Sequence, residues 1–220
     1  MAQHPTAGRR TQAERRSESE DALLAAAAEL IAERGIVGAS LASIGERAGT
    51  SRGLPTHHFG SKDALVERLA GRAQDGIREA LENGHAASAA LREGRTALES
   101  VCLMVDVYLG LFEDPTPEQR ALLVLWGSTF ASSASVEVMR EAGRRSYEGI
   151  AELVATGHRD GSIRADLDPG ATAVVILGMM RGAAALLIAD RDATEMRRVR
   201  DSCRAMTARA LGQGPVRVGP

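Results

Sequence analysis

The chain has 220 residues and a formal net charge of −2, and its composition is 44% hydrophobic but only 3% aromatic. This length allows one extended core or two small domains, and the abundance of alanine, leucine, arginine and glutamate favours helices over sheets. Because the net charge is close to zero, a general polyanion-binding protein is excluded, and any nucleic-acid surface must be local. The helical periodicity predicts an all-α fold of about nine helices.

The sequence lacks the common motifs of enzymes and metal sites. It contains no GxxxxGK loop, no HExxH and no CxxC. Cys102 and Cys203 lie in apolar helical stretches, which is typical of buried, reduced thiols in a cytoplasmic protein. The apolar run over 172–189 contains Arg181 and glycines, which favours a packed helix over a membrane span. We therefore expect a cytoplasmic protein that is not an enzyme and has no cofactor, metal ion or membrane segment.

The structure of the N-terminal region is predicted from its polarity and from the residues that stop helices. Residues 1–16 are polar, and we expect them to form a disordered tail, although its two arginine pairs leave open an additional contact with DNA. An amphipathic helix is predicted from Ser19 to Arg34, and Gly35 stops it.

Residues 40–65 form the most informative stretch of the sequence. Ser40 can cap a helix with apolar residues at spacings of three and four, and Gly49 supplies the left-handed stop. Thr50 or Ser51 would then cap a second helix that runs to about His58. Two helices joined by a short turn with glycine are typical of a helix-turn-helix motif, whose second helix enters the major groove of DNA.

This stretch resembles the N-terminal domain of the tetracycline-repressor (TetR) family of regulators. The resemblance covers roughly residues 20–66 and includes Ala48–Gly49, Ser51, Gly53, His58–Phe59 and the run from Ser61 to Leu65. It implies a three-helix DNA-binding domain followed by a helical domain that binds a ligand and forms a homodimer. The sequence departs from the family at Pro55-Thr56, where a Leu-Tyr or Ile-Tyr pair is usual. Because proline disfavours helix in the residue before it, we expect the recognition helix to begin late or to be distorted.

The resemblance and the chemistry of the side chains together give the candidate DNA contacts. Arg52 could pair bidentately with guanine, whereas the family's lysine at the position of Lys62 contacts the DNA backbone. Thr56 and His58 match family positions that usually bind phosphate, although His58 could instead simply pack beside Phe59. The candidates are Ser40, Ser43, Ser51, Arg52, Gly53, Leu54, Thr56, His57, His58 and Lys62.

The remaining helices are predicted from capping signals and apolar spacing. Ser61 caps a helix that ends at Asn83-Gly84, and five more are expected over residues 95–112, 116–132, 135–158, 169–190 and 192–211. The predicted domains are a disordered tail (1–16), a DNA-binding domain (17–64), a ligand-binding and dimerisation domain (65–212) and a flexible tail (213–220).

The resemblance also implies a ligand pocket among the central helices. Plain core packing would explain each candidate taken alone, but the few charges on these helices favour an apolar or weakly polar effector. Arg181 could pair with an anionic ligand or with a partner carboxylate at an interface. The candidates are Met104, Tyr108, Trp126, Phe130 and Met180.

These observations predict a transcriptional repressor that binds a palindromic operator as a homodimer through its last two helices. A small, largely apolar effector would release it from double-stranded DNA. The modest local positive charge and Pro55 keep one alternative open, namely a helical adaptor or small-molecule-binding protein that does not bind DNA.

Overall fold

The computed structural model describes residues 11–87, 94–128, 135–190 and 193–213. Within these ranges the chain is helical, which confirms the predicted fold class. The helices are α1 (Gln12–Gly38), α2 (Leu41–Arg47), α3 (Leu54–Phe59), α4 (Lys62–Ala87), α5 (Ala97–Gly110), α6 (Pro117–Ser128), α7 (Ser135–Asp160), α8 (Pro169–Asp190) and α9 (Ala193–Leu211).

Helix α1 begins seven residues earlier than the sequence predicted. The Thr11 hydroxyl accepts a hydrogen bond from the Glu14 amide at 3.2 Å, and the Glu14 carboxylate accepts one from the Thr11 amide at 2.7 Å. This reciprocal cap starts the helix at Gln12, so the prediction that residues 12–16 belong to a disordered tail is wrong. Residues 1–10 lie outside the described ranges. At the other end, Gly35 has φ 71° and introduces a kink, and the helix resumes as far as Gly38.

Helices α2 and α3 form the predicted helix-turn-helix with a later second helix. Ser40 caps α2 and Gly49 adopts φ 68°, as predicted. Thr50 and Ser51 do not cap α3, because α3 begins at Leu54 after Gly53. Pro55 therefore lies in the first turn, where its missing amide hydrogen costs no helical hydrogen bond.

The other helix boundaries agree with the sequence in part. Thr116 and Gln119 form a reciprocal cap at the start of α6, where the sequence predicts a helix, and Asp168 accepts a hydrogen bond from the Ala171 amide at 2.7 Å at the start of α8. The predicted end of α4 at Asn83-Gly84 is wrong, since the helix continues to Ala87. The prediction that α6 extends to Ser132 concerns residues outside the described ranges.

Two hydrophobic cores meet at α4 and α6. The first core joins α1, α2 and α4 with the Ala121, Leu122 and Leu125 side chains of α6. The second core lies among α5, α7, α8 and α9, and it includes the buried Met196 and Cys203 of α9. Ile77 of α4 packs against both cores. A displacement of α4 or α6 would therefore change the packing of both cores.

Helix α8 is the most apolar helix of the described chain. Its segment Pro169–Ile188 has a mean hydropathy of 2.0, enough by length and composition to cross a membrane, and 22% of it is buried. One face, with Ala173, Ile176 and Met180, packs in the second core. The opposite face exposes Val174, Val175 and Leu186 to between 59% and 76%. This helix thus has an inner face that is packed and an outer apolar face that no other described part of the chain covers.

Candidate DNA-binding surface and effector cavity

The turn before α3 and the surface of α3 carry most of the predicted DNA contacts. Four candidates are partly buried, namely Ser43, Leu54, His58 and Lys62, and Leu54 packs against the first core. The exposed candidates are Ser40, Ser51, Arg52, Gly53, Thr56 and His57. The structure thus leaves a polar head, formed by the turn and one short helix, accessible to a macromolecule.

Arg52 lies in the turn that precedes α3, not on the helix itself. Its guanidinium forms an ion pair with the Glu46 carboxylate of α2, and 76% of its side chain is exposed. This pair orients the arginine toward the outer surface of the motif. Because Glu46 is an anion beside the candidate base reader, it also competes with DNA for the same guanidinium. No motif in the sequence points to Glu46 as part of the site.

The other arginine of the motif, Arg47, is turned toward α1. Its two terminal nitrogens lie 2.8 Å from Glu29 and 2.9 Å from Glu33. The hydrogen bonds that the Arg47 guanidinium donates to Glu33 and Glu29 raise the pKa of Arg47, and those that Glu33 accepts lower the pKa of Glu33. Arg47 therefore holds α2 against α1, so among the described residues of the motif the cations offered to DNA are the exposed Arg52 and the half-buried Lys62 at the start of α4.

His58 is placed differently from the sequence prediction. Its side chain is only 9% exposed, and its Nε2 atom lies 3.6 Å from the Glu20 carboxylate of α1. The imidazole meets the Phe59 ring edge-on, with the ring centroids 4.9 Å apart. This burial favours the packing role, the alternative left open above, and a phosphate contact by His58 stays a prediction.

Two serine candidates take part in the cap of α2. The Ser43 hydroxyl donates to the Ser40 carbonyl at 2.8 Å, and the Ser40 hydroxyl accepts from the Ser43 amide at 3.1 Å. Ser43 is therefore committed to the helix end, whereas Ser40 is exposed. Their proposed role in DNA contact is at most additional to this structural one.

Five helices, α4 to α8, enclose a cavity of about 350 Å³. Four of the five predicted ligand contacts line it: Met104, Tyr108, Trp126 and Met180. Phe130 lies outside the described residues. The wall also includes apolar side chains that the sequence analysis did not single out, namely Ile77, Leu122, Ile150, Leu153 and Leu177. Their helical spacing is the ordinary spacing of a core, so no sequence signal distinguished them from core residues.

Arg181 gives this apolar cavity a positive charge. Its guanidinium carbon lies 3.5 Å from the centre of the Trp126 ring, which is a cation–π contact. Burial lowers the pKa of Arg181, and the guanidinium remains charged at neutral pH. Burial raises the pKa of Tyr108 to about 12, although Arg181 acts in the opposite direction. Tyr108 is therefore a neutral hydrogen-bond donor in the cavity wall at neutral pH.

A line of ion pairs joins α4 to helices on both sides. Arg68 lies 2.7 Å from Glu20 of α1. Arg72 lies 2.7 Å from Asp21 of α1 and 3.8 Å from Glu118 of α6. These residues line a second, more polar cleft of about 560 Å³. Arg72 thus connects α1, which packs behind the helix-turn-helix, to α6, which carries part of the cavity wall.

Comparison with known proteins identifies the N-terminal part of the chain. The profile of the tetR family of bacterial regulatory proteins matches residues 23–69. The HTH-type transcriptional regulator CymR of Pseudomonas putida is 46% identical over 58 residues, which are 26% of this chain and 29% of that protein. The chain thus matches less than a third of the length of this curated relative.

Solved structures resemble the described chain over most of its length. A TetR transcriptional regulator from Chloroflexus aurantiacus superposes with a TM-score of 0.75 at 23% identity, covering 91% of this chain and 99% of that one. AibR, solved in complex with isovaleryl coenzyme A and operator DNA, superposes with a TM-score of 0.67 at 16% identity, covering 86% and 97%. At these identities the likeness establishes the fold.

Proposed function

The chain belongs to the TetR family of bacterial regulatory proteins, and we propose that it is a ligand-responsive repressor of transcription. In this proposal a homodimer binds a palindromic operator, and a small, largely apolar effector that enters the cavity releases it. The observation that carries the proposal is the sharing of α4 and α6 between the cavity wall and the core behind the helix-turn-helix.

The DNA-binding part rests on the exposed turn and α3. Arg52 can pair with the O6 and N7 atoms of a guanine, and Lys62, at the N-terminus of α4, suits a phosphate oxygen. Ser51, Thr56 and His57 are exposed beside them and can add contacts, Ser40 lies exposed at the start of α2, and Gly53 allows a close approach of the backbone. With two cations on this head, one protomer binds weakly, so two heads must act together.

The homodimer is supported by the outer face of α8. Val174, Val175 and Leu186 of α8 and Met206 of α9 are large apolar side chains that are at least 59% exposed. The corresponding face in a partner copy would cover them, and two-fold symmetry would place two heads on successive major grooves roughly 34 Å apart. Met196 and Cys203 of α9 are buried in the second core, so they contribute to the protomer instead.

The release mechanism follows from the two shared helices. An effector that fits one position of α4 and α6 better than another shifts the population toward that position. Through Ile77, Leu122 and the Arg72 ion pairs, this shift changes the angle of α1 and the motif that packs on it. A coupling of about 1–3 kcal/mol would change operator affinity roughly 5–150-fold.

The match to the tetR family and the structural likeness to AibR, which was solved in complex with isovaleryl coenzyme A and operator DNA, support a regulator over an enzyme or an adaptor. We also propose that the protein acts in the cytoplasm, without a cofactor or a membrane anchor. The alternative is a helical protein that binds a small molecule but not DNA. Sequence-specific retention on DNA would distinguish the regulator from this alternative.

The decisive experiment is selection of fragments from a random DNA pool by the purified full-length protein, followed by sequencing. We expect a palindromic consensus, with a guanine in each half-site and a steep dependence of affinity on salt. The selection is repeated after unfolding and refolding, which removes any effector carried through purification. No enrichment by refolded, helical protein would contradict the proposal and favour the alternative.

A further inference from the structure

We propose that the effector is an organic monoanion, with one carboxylate that pairs with Arg181 and an apolar body that fills the rest of the cavity. This inference deepens the proposed function, because it assigns a chemical class to the ligand of the same cavity. It goes beyond the prediction of a merely apolar effector.

The cavity wall carries more positive than negative charge. The wall includes three arginines, Arg78, Arg145 and Arg181, and one acid, Asp75. Arg78 is paired with Asp75 and Glu82, each at 3.1 Å, and Arg145 lies 3.3 Å from Glu141. Among the described residues, the one titratable group that acts on the pKa of Arg181 is the neutral Tyr108. Arg181 is therefore the cation of this wall without a carboxylate beside it.

The surroundings of Arg181 favour the binding of an anion. A half-buried guanidinium without a counter-ion has lost water without gaining an anion, which is unfavourable unless a bound anion completes the site. The Trp126 ring covers one face of the guanidinium at 3.5 Å, and stacking leaves the N–H groups free at its edge. Those N–H groups can donate two parallel hydrogen bonds to a carboxylate.

The remaining wall limits the rest of the ligand. Tyr108 keeps its proton at neutral pH, because burial raises its pKa to about 12, and its hydroxyl can donate to an anion held by Arg181. Beyond these groups the cavity is lined mainly by apolar side chains, including Met104, Ile150, Leu153, Leu177 and Met180. A second charge on the ligand would have to lose its water against this apolar surface. One anionic end and an apolar body therefore match the cavity.

The test compares acids with their isosteric neutral amides. Octanoate and octanamide form one pair of probes, and 3-phenylpropanoate and 3-phenylpropanamide form a second. Trp126 is the only tryptophan in the chain, so its fluorescence reports occupancy of the cavity, and calorimetry provides an independent affinity. We expect each acid to bind about 10- to 100-fold more tightly than its amide, the range of a hydrogen bond to a charged group. Octanedioate, with a carboxylate at each end, should bind more weakly than octanoate.

Two variants locate the effect. Arg181→Met keeps an unbranched aliphatic stem and removes the charged guanidinium, and it should remove the preference for acids while leaving the affinity for the amides within about twofold. Arg145→Met is the matched control, because Arg145 lines the same cavity but is already paired with Glu141. It should retain the preference. Circular dichroism and the melting temperature show whether each variant is folded.

A measurement on the unaltered protein does not depend on either variant. When the quenching by each ion is divided by its quenching of free N-acetyltryptophanamide, iodide, an anion, should quench Trp126 fluorescence more strongly than caesium, a cation, because of the adjacent guanidinium. Saturating octanoate should abolish the difference. Equal quenching by the two ions, equal affinity for acids and amides, or no binding of any acid at millimolar concentration would overturn the proposal.

The outcome of the DNA selection is separate from these results. Acids that bind through Arg181 in a protein that enriches no DNA would support the ligand class and contradict the repressor. A palindromic consensus from a protein that binds amides as well as acids would support the repressor and contradict the proposed ligand class.

Discussion

The α-carbon of Gly45 faces the carbonyl oxygen of Ser51 so closely that a β-carbon at position 45 would lie 2.6 Å from that oxygen. The same β-carbon would lie 3.2 Å from the Cδ atom of Pro55. Gly45 thus allows α2 to cross the start of α3 at close range. The crossing fixes the angle at which Arg52 and α3 are presented.

Gly45→Ala should therefore destabilise the helix-turn-helix. The new methyl group must push the turn at Ser51 away, at a cost of about 1–3 kcal/mol, typical of an overpacked site. The melting temperature and the operator affinity should both fall. Gly53→Ala is the control, because a β-carbon there meets open space. It should leave the melting temperature nearly unchanged while it lowers operator affinity, and equal melting temperatures for the two variants would contradict this role of Gly45.

Arg52→Ala should cost roughly 1–3 kcal/mol of operator binding and relax the preference at one base pair of each half-site. Repeating the fragment selection with the variant measures both effects. Glu46→Gln is the informative companion, since it removes the carboxylate that pairs with Arg52. It should raise the affinity for DNA and keep the consensus. An unchanged consensus with Arg52→Ala would remove this arginine from base recognition.

Lys62→Ala should weaken binding to all DNA sequences by a similar factor. A phosphate contact carries no sequence information, and its loss should reduce the slope of log affinity against log salt concentration by about one. Binding to the operator and to a scrambled sequence across a salt series provides the measurement. If the variant changed base preference but not overall affinity, the role assigned to Lys62 would be wrong.

Arg72→Ala should weaken the coupling between the cavity and the DNA-binding surface. Arg72 connects Asp21 of α1 with Glu118 of α6, and partly exposed ion pairs of this kind contribute about 0.2–1 kcal/mol each. The ratio of operator affinities without and with saturating octanoate should therefore fall about two- to fivefold. Arg68→Ala is the matched control, because the ion pair of Arg68 with Glu20 reaches α1 but not α6. The two variants behaving alike would argue against transmission through Arg72.

Acid should selectively loosen α2 from α1. Arg47 lowers the pKa of Glu33 below its ordinary value of 4.5, so the folded state gains stability from the ionised Glu33 above pH 4.5. This gain is lost as the pH falls through the lowered value. Glu33→Gln should melt at a lower temperature than the unaltered protein at neutral pH, and the gap should close as the pH falls below the lowered pKa of Glu33. Glu67→Gln, an exposed substitution on α4 outside this ion pair, should show no such change.

The elements that depend on local signals could be predicted from the sequence. Caps at Ser40 and Thr116 and the left-handed Gly49 are determined by neighbouring residues, and the structure has them. Long-range contacts could not be predicted in this way. Nothing near His58 in the sequence indicates that Glu20 lies 3.6 Å away, and nothing near Arg47 indicates that Glu29 and Glu33 bind it.

The cavity illustrates the same limit. Met104, Tyr108, Trp126 and Met180 could be named because they are large or adaptable, and the structure places them on one wall. The additional lining residues Leu153 and Leu177 have the spacing of ordinary core residues. Only the packing of α7 against α8 decides that these side chains face a space instead of another side chain.

Because α6 contributes both to the cavity wall and to the core behind the DNA-binding motif, it limits which substitutions can change ligand specificity alone. Leu122 lines the cavity and belongs to the core behind the DNA-binding motif, whereas Leu153 and Leu177 line the cavity and pack only in the second core. Substitutions on α7 and α8 can therefore change which ligands fit the cavity while the DNA-binding motif keeps its fold. A biosensor library built on this scaffold should randomise those two helices first and leave α6 fixed.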